Sequence, residues 1–133
     1  MLNKVYVIDD DEMSLYITKI IIEHFAPQCE CTCFEDAQQA LDQLKEDIQQ
    51  DVLPSLILLD LNMPYMNGLE FLEAIEPWSG ALENKCFICV LTSSVDEQDL
   101  LRSLASGLVL DYIQKPITQE KLEEISKLYS GRT

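Results

Sequence analysis

Four short apolar runs in this chain end in residues that could do chemistry together. Val5 to Ile8 runs into Asp9-Asp10-Asp11-Glu12, and Leu56 to Leu59 runs into Asp60, with Asn62 two residues on. Cys86 to Leu91 leads to Thr92-Ser93-Ser94, and Leu108 to Ile113 passes through Tyr112 to Lys115-Pro116. Carboxylates brought together repel one another unless a cation neutralises them, and hard oxygen ligands suit Mg2+, which also accepts waters and phosphate oxygens. A carboxylate is itself a nucleophile able to form an acyl phosphate. The charge on a transferring phosphoryl group then needs positive partners, a metal and a lysine such as Lys115. A small hydroxyl such as Thr92 can donate a hydrogen bond to the same oxygens. Each feature alone has a plainer explanation: acids at a helix start complement its dipole, and Lys-Pro is an ordinary turn. At four successive strand ends, coincidence is implausible.

Such a set needs a scaffold that gathers strand ends along one edge. Val5 to Ile8, Cys29 to Phe34, Leu56 to Leu59, Cys86 to Leu91 and Leu108 to Ile113 read as five strands. Helical spacing joins Ile17, Ile20, Ile21 and Phe25, and then Ala37, Leu41, Leu44 and Ile48 behind a cap of Asp36 with Gln39. A third helix carries Leu69, Leu72 and Ile75 and stops near Pro77, leaving Glu76 to Lys85 as a longer surface connection. Ser94 and Glu97 make a capping-box pattern before Leu100, Leu101 and Leu104, and Gly107 ends that helix. Thr118 starts the last helix, with Leu122, Ile125, Leu128 and Tyr129 on one face. Five strands thus alternate with five helices. Strands apolar on both faces belong in a parallel sheet covered on each side, so the expected fold is a doubly wound α/β domain spanning residues 1–133. In such sheets ligands bind at the carboxyl ends of the strands.

Composition narrows the function further. The net charge of −15 would be repelled by nucleic-acid phosphates and anionic lipid, so neither nucleic acid nor membrane is an expected partner. No stretch of about 18 apolar residues occurs, and no signal-peptide pattern precedes the first strand, which makes the expected location cytoplasmic. The five cysteines are Cys29, Cys31, Cys33, Cys86 and Cys89, an odd number that argues against a disulfide framework. Alternation places Cys29, Cys31 and Cys33 on one strand face as small buried core residues. Cys86 and Cys89 have redox-motif spacing, but three apart on a strand they point to opposite faces. Metal binding by cysteine would need a second ligand pair, and His24 is the one histidine.

Val7-Ile8-Asp9-Asp10-Asp11, Leu58-Leu59-Asp60-Leu61-Asn62-Met63-Pro64 with Asn67-Gly68, Val90-Leu91-Thr92-Ser93 and Tyr112-Ile113-Gln114-Lys115-Pro116 together resemble the receiver domains of response regulators in two-component signalling. The resemblance runs from about Lys4 to Tyr129 and is specific as a set. It implies a flavodoxin-like strand order 2-1-3-4-5 and a free-standing receiver domain over residues 1–133. It implies that Asp60 accepts a phosphoryl group from a histidine on a sensor kinase or phosphotransfer protein. Asp10 and Asp60 would bind Mg2+ through carboxylates, Asp9 would assist through water, and Asn62 would offer its main-chain carbonyl. Lys115 would pair with the phosphoryl group, across a cis bond to Pro116. Thr92 and Tyr112 would be the switch residues, moving toward the site on activation. The signal would leave by contact with a downstream protein, there being no output domain after Ser130-Gly131-Arg132-Thr133.

Two other readings stay in play. A phosphohydrolase would use Asp60 on small phosphate esters, but such enzymes place a second acid two residues later to protonate the leaving group, where this chain has Asn62. An interaction module would use the acidic rim as a structural metal site and carry no covalent phosphate. The expected protein is therefore a phosphoacceptor switch and not a multiple-turnover enzyme.

Overall fold

Short apolar runs and longer amphipathic stretches resolve into one parallel sheet between two helical layers. The computed structural model describes residues 2–93 and 96–132, with side chains up to residue 128. The strands are β1 (Lys4–Ile8), β2 (Glu30–Phe34), β3 (Leu56–Leu59), β4 (Phe87–Thr92) and β5 (Val109–Gln114). Every pairing is parallel and the order is β2-β1-β3-β4-β5, as expected. The helices are α1 (Glu12–Phe25), α2 (Ala37–Gln50), α3 (Gly68–Ile75), α4 (Ser79–Leu82), α5 (Glu97–Leu104) and α6 (Gln119–Arg132). The one-turn α4 is an addition to the five helices expected. It follows a 3-10 turn at Glu76–Trp78 and drives Leu82 fully into the core. The connection from Glu76 to Lys85 is therefore anchored and not a simple surface loop.

Alternation along the strands builds the two layers, since successive side chains leave opposite faces. Val5, Val7, Leu56, Leu58, Cys89 and Leu91 meet Leu15 and Ile22 of α1 and Leu122 and Ile125 of α6. Tyr6, Ile8, Ile57, Leu59 and Ile88 meet Leu44 of α2, Phe71 and Ile75 of α3, and Leu82. Cys89 lies in the first layer and Cys86 in the second, opposed as the strand period requires. All five cysteines are free. Only Cys29 of the first three is buried. Cys31 and Cys33 are half-buried, because β2 is an edge strand with a helix over part of its face.

Three helical stripes differ from the sequence expectation. α1 buries Leu15, Thr18 and Ile22, leaving Ile17 43% and Ile20 46% exposed. The helix is apolar on more than one side, and periodicity alone does not say which side meets the sheet. In α5 Leu101 and Leu104 are exposed and Ser103 is the buried residue, while in α6 Leu128 is exposed. Ser94 and Tyr129's side chain lie outside the described residues. The cap of α5 is Asp96, whose carboxylate accepts from the Gln98 and Asp99 main-chain N–H groups at 2.9 and 3.2 Å. Asp36 caps α2 through the Gln38 N–H at 2.7 Å, and the Thr118 hydroxyl accepts from the Lys121 N–H at 3.1 Å.

One buried polar cluster had no signal in the sequence pattern. Asp47 of α2 sits inside the protein, accepting from the Tyr6 hydroxyl, from Gln43 at 2.9 Å and from the Lys4 ammonium at 2.9 Å. Lys4 also donates to the Val52 carbonyl at 3.0 Å. Burial works to raise the Asp47 pKa, but the bonds from Tyr6, Lys4 and Gln43 hold it below the ordinary carboxylate value. A lowered folded pKa gives stability that is present above the unfolded value and lost as pH falls through the folded one. Asp47→Ala should cost about 2–4 kcal/mol at neutral pH, because it strands the Tyr6 hydroxyl and the Lys4 charge. Tyr6→Phe should cost about 1 kcal/mol. Urea midpoints at neutral and strongly acidic pH check both, and the Asp47→Ala deficit should shrink in acid.

Candidate functional site

The sheet ladder itself delivers the site residues. β1 and β3 pair in register up to Ile8 with Leu59, so Asp9 and Asp60 are the next residue on each of two neighbouring strands. The Asp60 N–H donates to the Ile8 carbonyl at 2.9 Å, and the Asp9 N–H donates to the Phe34 carbonyl at 3.0 Å. On the other side, the Lys115 N–H donates to the Thr92 carbonyl at 2.7 Å, tying the loop after β5 to the end of β4. The Lys115-Pro116 bond is cis.

Carboxylate oxygens of Asp9, Asp10 and Asp60 lie within 4.8 Å of one another. Asp9 is 2% exposed and Asp60 7%, while Asp10 faces solvent. Lys115 reaches across with its ammonium 2.5 Å from Asp9 Oδ2 and 3.4 Å from Asp60 Oδ2. Asp9 Oδ1 accepts from the Asp11 N–H at 2.9 Å, and Asp60 Oδ1 from the Asn62 N–H at 3.2 Å. Asp11 in turn caps α1, accepting from the Met13 N–H at 3.0 Å.

These contacts divide the two buried acids. For Asp9, burial pushes the pKa up, but hydrogen bonds from Lys115, Ser14 and the Asp11 amide bring it below the ordinary value. For Asp60, burial prevails and the carboxyl is pushed up to about 6, with the nearby Asp9 charge adding to the rise and the Asn62 N–H and Lys115 opposing it. Lys115 loses some basicity to burial but ends above the ordinary lysine value through its bond to Asp9 and the charge of Asp60. Three carboxylates facing one ammonium leave negative charge uncompensated, and all the donors are hard oxygens. The residues therefore fit a hard divalent cation held by Asp9, Asp10 and Asp60.

Of the residues singled out in the sequence, Asp9, Asp10, Asp60 and Lys115 come together. Asn62 joins them through its main chain while its side chain is exposed. Thr92 ends β4 fully buried. Tyr112 lies farther down β5, beside Val90, so it does not line the acidic cluster. Its hydroxyl is buried without a hydrogen bond of ordinary geometry among the described residues. Burial raises its pKa, and the Asp96 main chain only partly opposes this.

Two contributors went unassigned in the sequence. Ser14 sits on the first turn of α1, where a hydroxyl beside a strand-end acid gives no distinctive pattern. Gly68 was visible in the motif, and the structure supplies its reason. A Cβ there would stand 2.5 Å from the Asp60 carbonyl oxygen and 2.8 Å from Leu61 Cα. The Gly68 N–H donates to the Leu61 carbonyl at 3.0 Å, and Asn67 closes a capping box with Glu70, so α3 starts hard against the Asp60 backbone.

The comparisons with known proteins agree with this geometry. Residues 5–127 match the family model described as response regulator receiver domain. A two-component response regulator of Cytophaga hutchinsonii superposes with a TM-score of 0.90 at 28% identity, covering 98% of each chain. The phosphorylated cyanobacterial phytochrome response regulator RcpA superposes with a TM-score of 0.75 at 26% identity, covering 96% of this chain and 90% of that one. Among curated proteins, the DNA-binding response regulator MtrA of Mycolicibacterium paratuberculosis is 30% identical over 122 residues, 92% of this chain and 48% of MtrA. The two-component response regulator ARR12 of Arabidopsis thaliana is 29% identical over 122 residues, 19% of its length. The chain belongs to the response regulator receiver domain family of two-component signalling. It spans less than half the length of these curated relatives.

Two outcomes follow from the site geometry. Gly68→Ala should destabilise the protein by about 1–3 kcal/mol, because the new methyl meets the Asp60 carbonyl oxygen and Leu61 Cα of the backbone as well as the Leu61 side chain. Chemical denaturation measures it. A raised Asp60 pKa means that stability present below the unfolded pKa of about 4 is lost as pH rises through about 6. Without divalent cations, Asp60→Asn should therefore be more stable than the parent at neutral pH, by on the order of 1 kcal/mol. The difference should vanish near pH 4, which thermal melts across the pH range would read.

Proposed function

We propose that the chain is a phosphorylation-dependent signalling switch whose phosphoacceptor is Asp60. The observation that carries this reading is the unequal sharing of Lys115. The ammonium sits on Asp9 and leaves Asp60 as a buried, under-compensated carboxylate at the mouth of a three-acid cluster. The phosphorylated relative of the same fold is in keeping with it.

The donor in this reading is a phosphohistidine on a sensor kinase or phosphotransfer protein. An Asp60 carboxylate oxygen attacks phosphorus, the new O–P bond forms as the N–P bond breaks, and the leaving imidazole keeps the electron pair. Mg2+ held by Asp9, Asp10, Asp60 and the Asn62 main-chain carbonyl would neutralise charge on the transferring group. Asp9, fixed by the Asp11 amide and Lys115, orients the acidic cluster. Lys115 is placed to move from carboxylates to phosphoryl oxygens as the negative charge shifts outward. Thr92, at the end of β4, supplies a hydroxyl to the phosphoryl group on activation. Tyr112 follows it inward, and its buried hydroxyl, without a hydrogen bond of ordinary geometry among the described residues, is consistent with a side chain that has a second resting place. The phosphorylated state decays by hydrolysis that the site itself assists, and the protein is not a multiple-turnover enzyme on an external substrate.

The surface favours a protein donor and a protein target. Met13, Tyr16, Ile17 and Ile20 form an exposed apolar stripe on α1, at helical spacing, on a chain otherwise carrying a charge of −15. A cleft of about 250 Å³ runs from Lys115 and Pro116 onto Met13 and Ile17, so the stripe adjoins the phosphoacceptor edge. This is where we place the kinase or phosphotransfer protein. Nucleic acid is disfavoured as a partner by the charge, and among the described residues no helix is long and apolar enough to cross a membrane.

Intact-mass analysis after incubation with Mg2+ and acetyl phosphate tests the switch chemistry. The expected result is one phosphoryl adduct that requires Mg2+, is absent in Asp60→Asn, and falls at least about tenfold in rate in Lys115→Ala. A cation-binding protein that never gains the adduct would instead be the interaction module weighed above.

A further inference from the structure

The two outer edges of the sheet are not equally guarded. Exposed edges invite pairing with another chain, and proteins blunt them with charges, prolines or bulges. β5 carries such protection: the β4–β5 register shifts between Ile88 and Cys89, and Asp111 is clamped by Lys121 at 2.9 Å. β2 does not. It runs in unbroken register from Glu30 to Phe34, and Glu30-Cys31-Thr32-Cys33-Phe34 has no proline and one charge, at its end. The Glu30 N–H donates to the Asn3 carbonyl at 2.9 Å, and the Phe34 carbonyl accepts from the Asp9 N–H at 3.0 Å. Main-chain groups alternate between the two edges of a strand. Glu30, Thr32 and Phe34 therefore serve β1, while Cys31 and Cys33 turn their N–H and C=O groups to the open edge.

We propose that β2 is a self-association edge, which takes β2 of a second copy of this chain antiparallel about a two-fold axis at Thr32. The sequence fits itself in that register. Cys31 falls opposite Cys33 of the second copy, twice over, and each such pair exchanges both of its main-chain hydrogen bonds. Glu30 falls opposite Phe34 and Glu35 opposite Cys29, so no two carboxylates stand face to face along the strand. The helices agree. α1 packs on both β1 and β2. With strands about 4.8 Å apart, the two copies of α1 run antiparallel about 10 Å apart, which is helix-packing distance. Lys19 and Glu23 are exposed, one turn apart, and both act electrostatically on the Cys33 sulfur, which puts them on the β2 side of α1. The two-fold brings Lys19 to Glu23 of the second copy, again twice. Met13 and Ile17 lie on the other side of α1, toward Lys115 and Pro116, so the donor surface stays open. Across the sheet, Gln39 shares a cleft with Cys33, and Gln43 and Gln50 follow down the same side of α2. The acid among them, Glu46, accepts from Gln50 at 3.2 Å. On a chain with a net charge of −15, this edge offers a second copy opposite charges and neutral amides.

Sedimentation velocity of the full chain, in excess dithiothreitol to exclude thiol cross-links, tests this. The expected result is a concentration-dependent rise from 15.2 kDa to twice that mass, with amide exchange across residues 29–35 slowing as the dimer fills. Cys33→Pro removes an N–H that points to the open edge and takes no bond from β1, so it should keep its circular dichroism and stay monomeric. Lys19→Glu, on the exposed surface of α1, should weaken the dimer at least about tenfold. The double swap of Lys19→Glu with Glu23→Lys should restore it. A mass that stays at 15.2 kDa up to about 1 mM overturns the proposal. So does a dimer that Cys33→Pro leaves intact, or a loss in Lys19→Glu that the double swap does not recover. None of these readouts depends on phosphoryl chemistry.

Discussion

Two desolvated carboxylates cannot share a sheet edge without a cation between them, and the rest of the site follows from how Lys115 answers that requirement. Its ammonium is fixed through the 2.7 Å hydrogen bond of its own N–H to the Thr92 carbonyl, so the cation belongs to the β4–β5 half of the sheet and the acids to the β1–β3 half. Because it lies 2.5 Å from Asp9 and 3.4 Å from Asp60, the two acids are electrostatically unlike even though both are buried. Asp9 behaves as a structural anion, and Asp60 is held in tension with its surroundings. Adding charge at Asp60 therefore disturbs both halves of the sheet at once.

The backbone places the two buried acids without help from loops. Ladder hydrogen bonds continue one residue past β1 and past β3, so Asp9 and Asp60 inherit their positions from the strands. α3 presses Gly68 onto the Asp60 carbonyl, and Asp11 fixes α1 beside Asp9. A site carried on strand ends and helix starts loses little order when its ligands leave.

Much of this was legible in the sequence because the informative signals are local. Apolar runs of four to six residues ending in Asp9, Asp60 and Thr92 mark strands and the edge they share, and Asp36 and Thr118 mark helix starts. The stripes of α1, α5 and α6 were not legible, because Ile17, Ile20, Leu101, Leu104 and Leu128 are apolar residues on faces that meet no layer. Periodicity finds an apolar face but cannot choose between two of them. Asp47 was missed for a different reason. Its burial depends on Tyr6 and Lys4, more than forty positions earlier, and no window along the chain contains both ends. The unequal sharing of Lys115 likewise exists only as a difference between two distances.

The helix α5 shows what weak anchoring does to one flank of the protein. Among its described residues only Ser103 is buried, its hydroxyl turned back to the Asp99 carbonyl at 2.7 Å, while Leu101 and Leu104 face outward. Burial of apolar side chains is what resists local opening, so α5, with fewer buried side chains than α1, α2 or α3, has less of that resistance. Its amide protons are expected to exchange ahead of those on β1 and β3, whose side chains lie in the two buried layers.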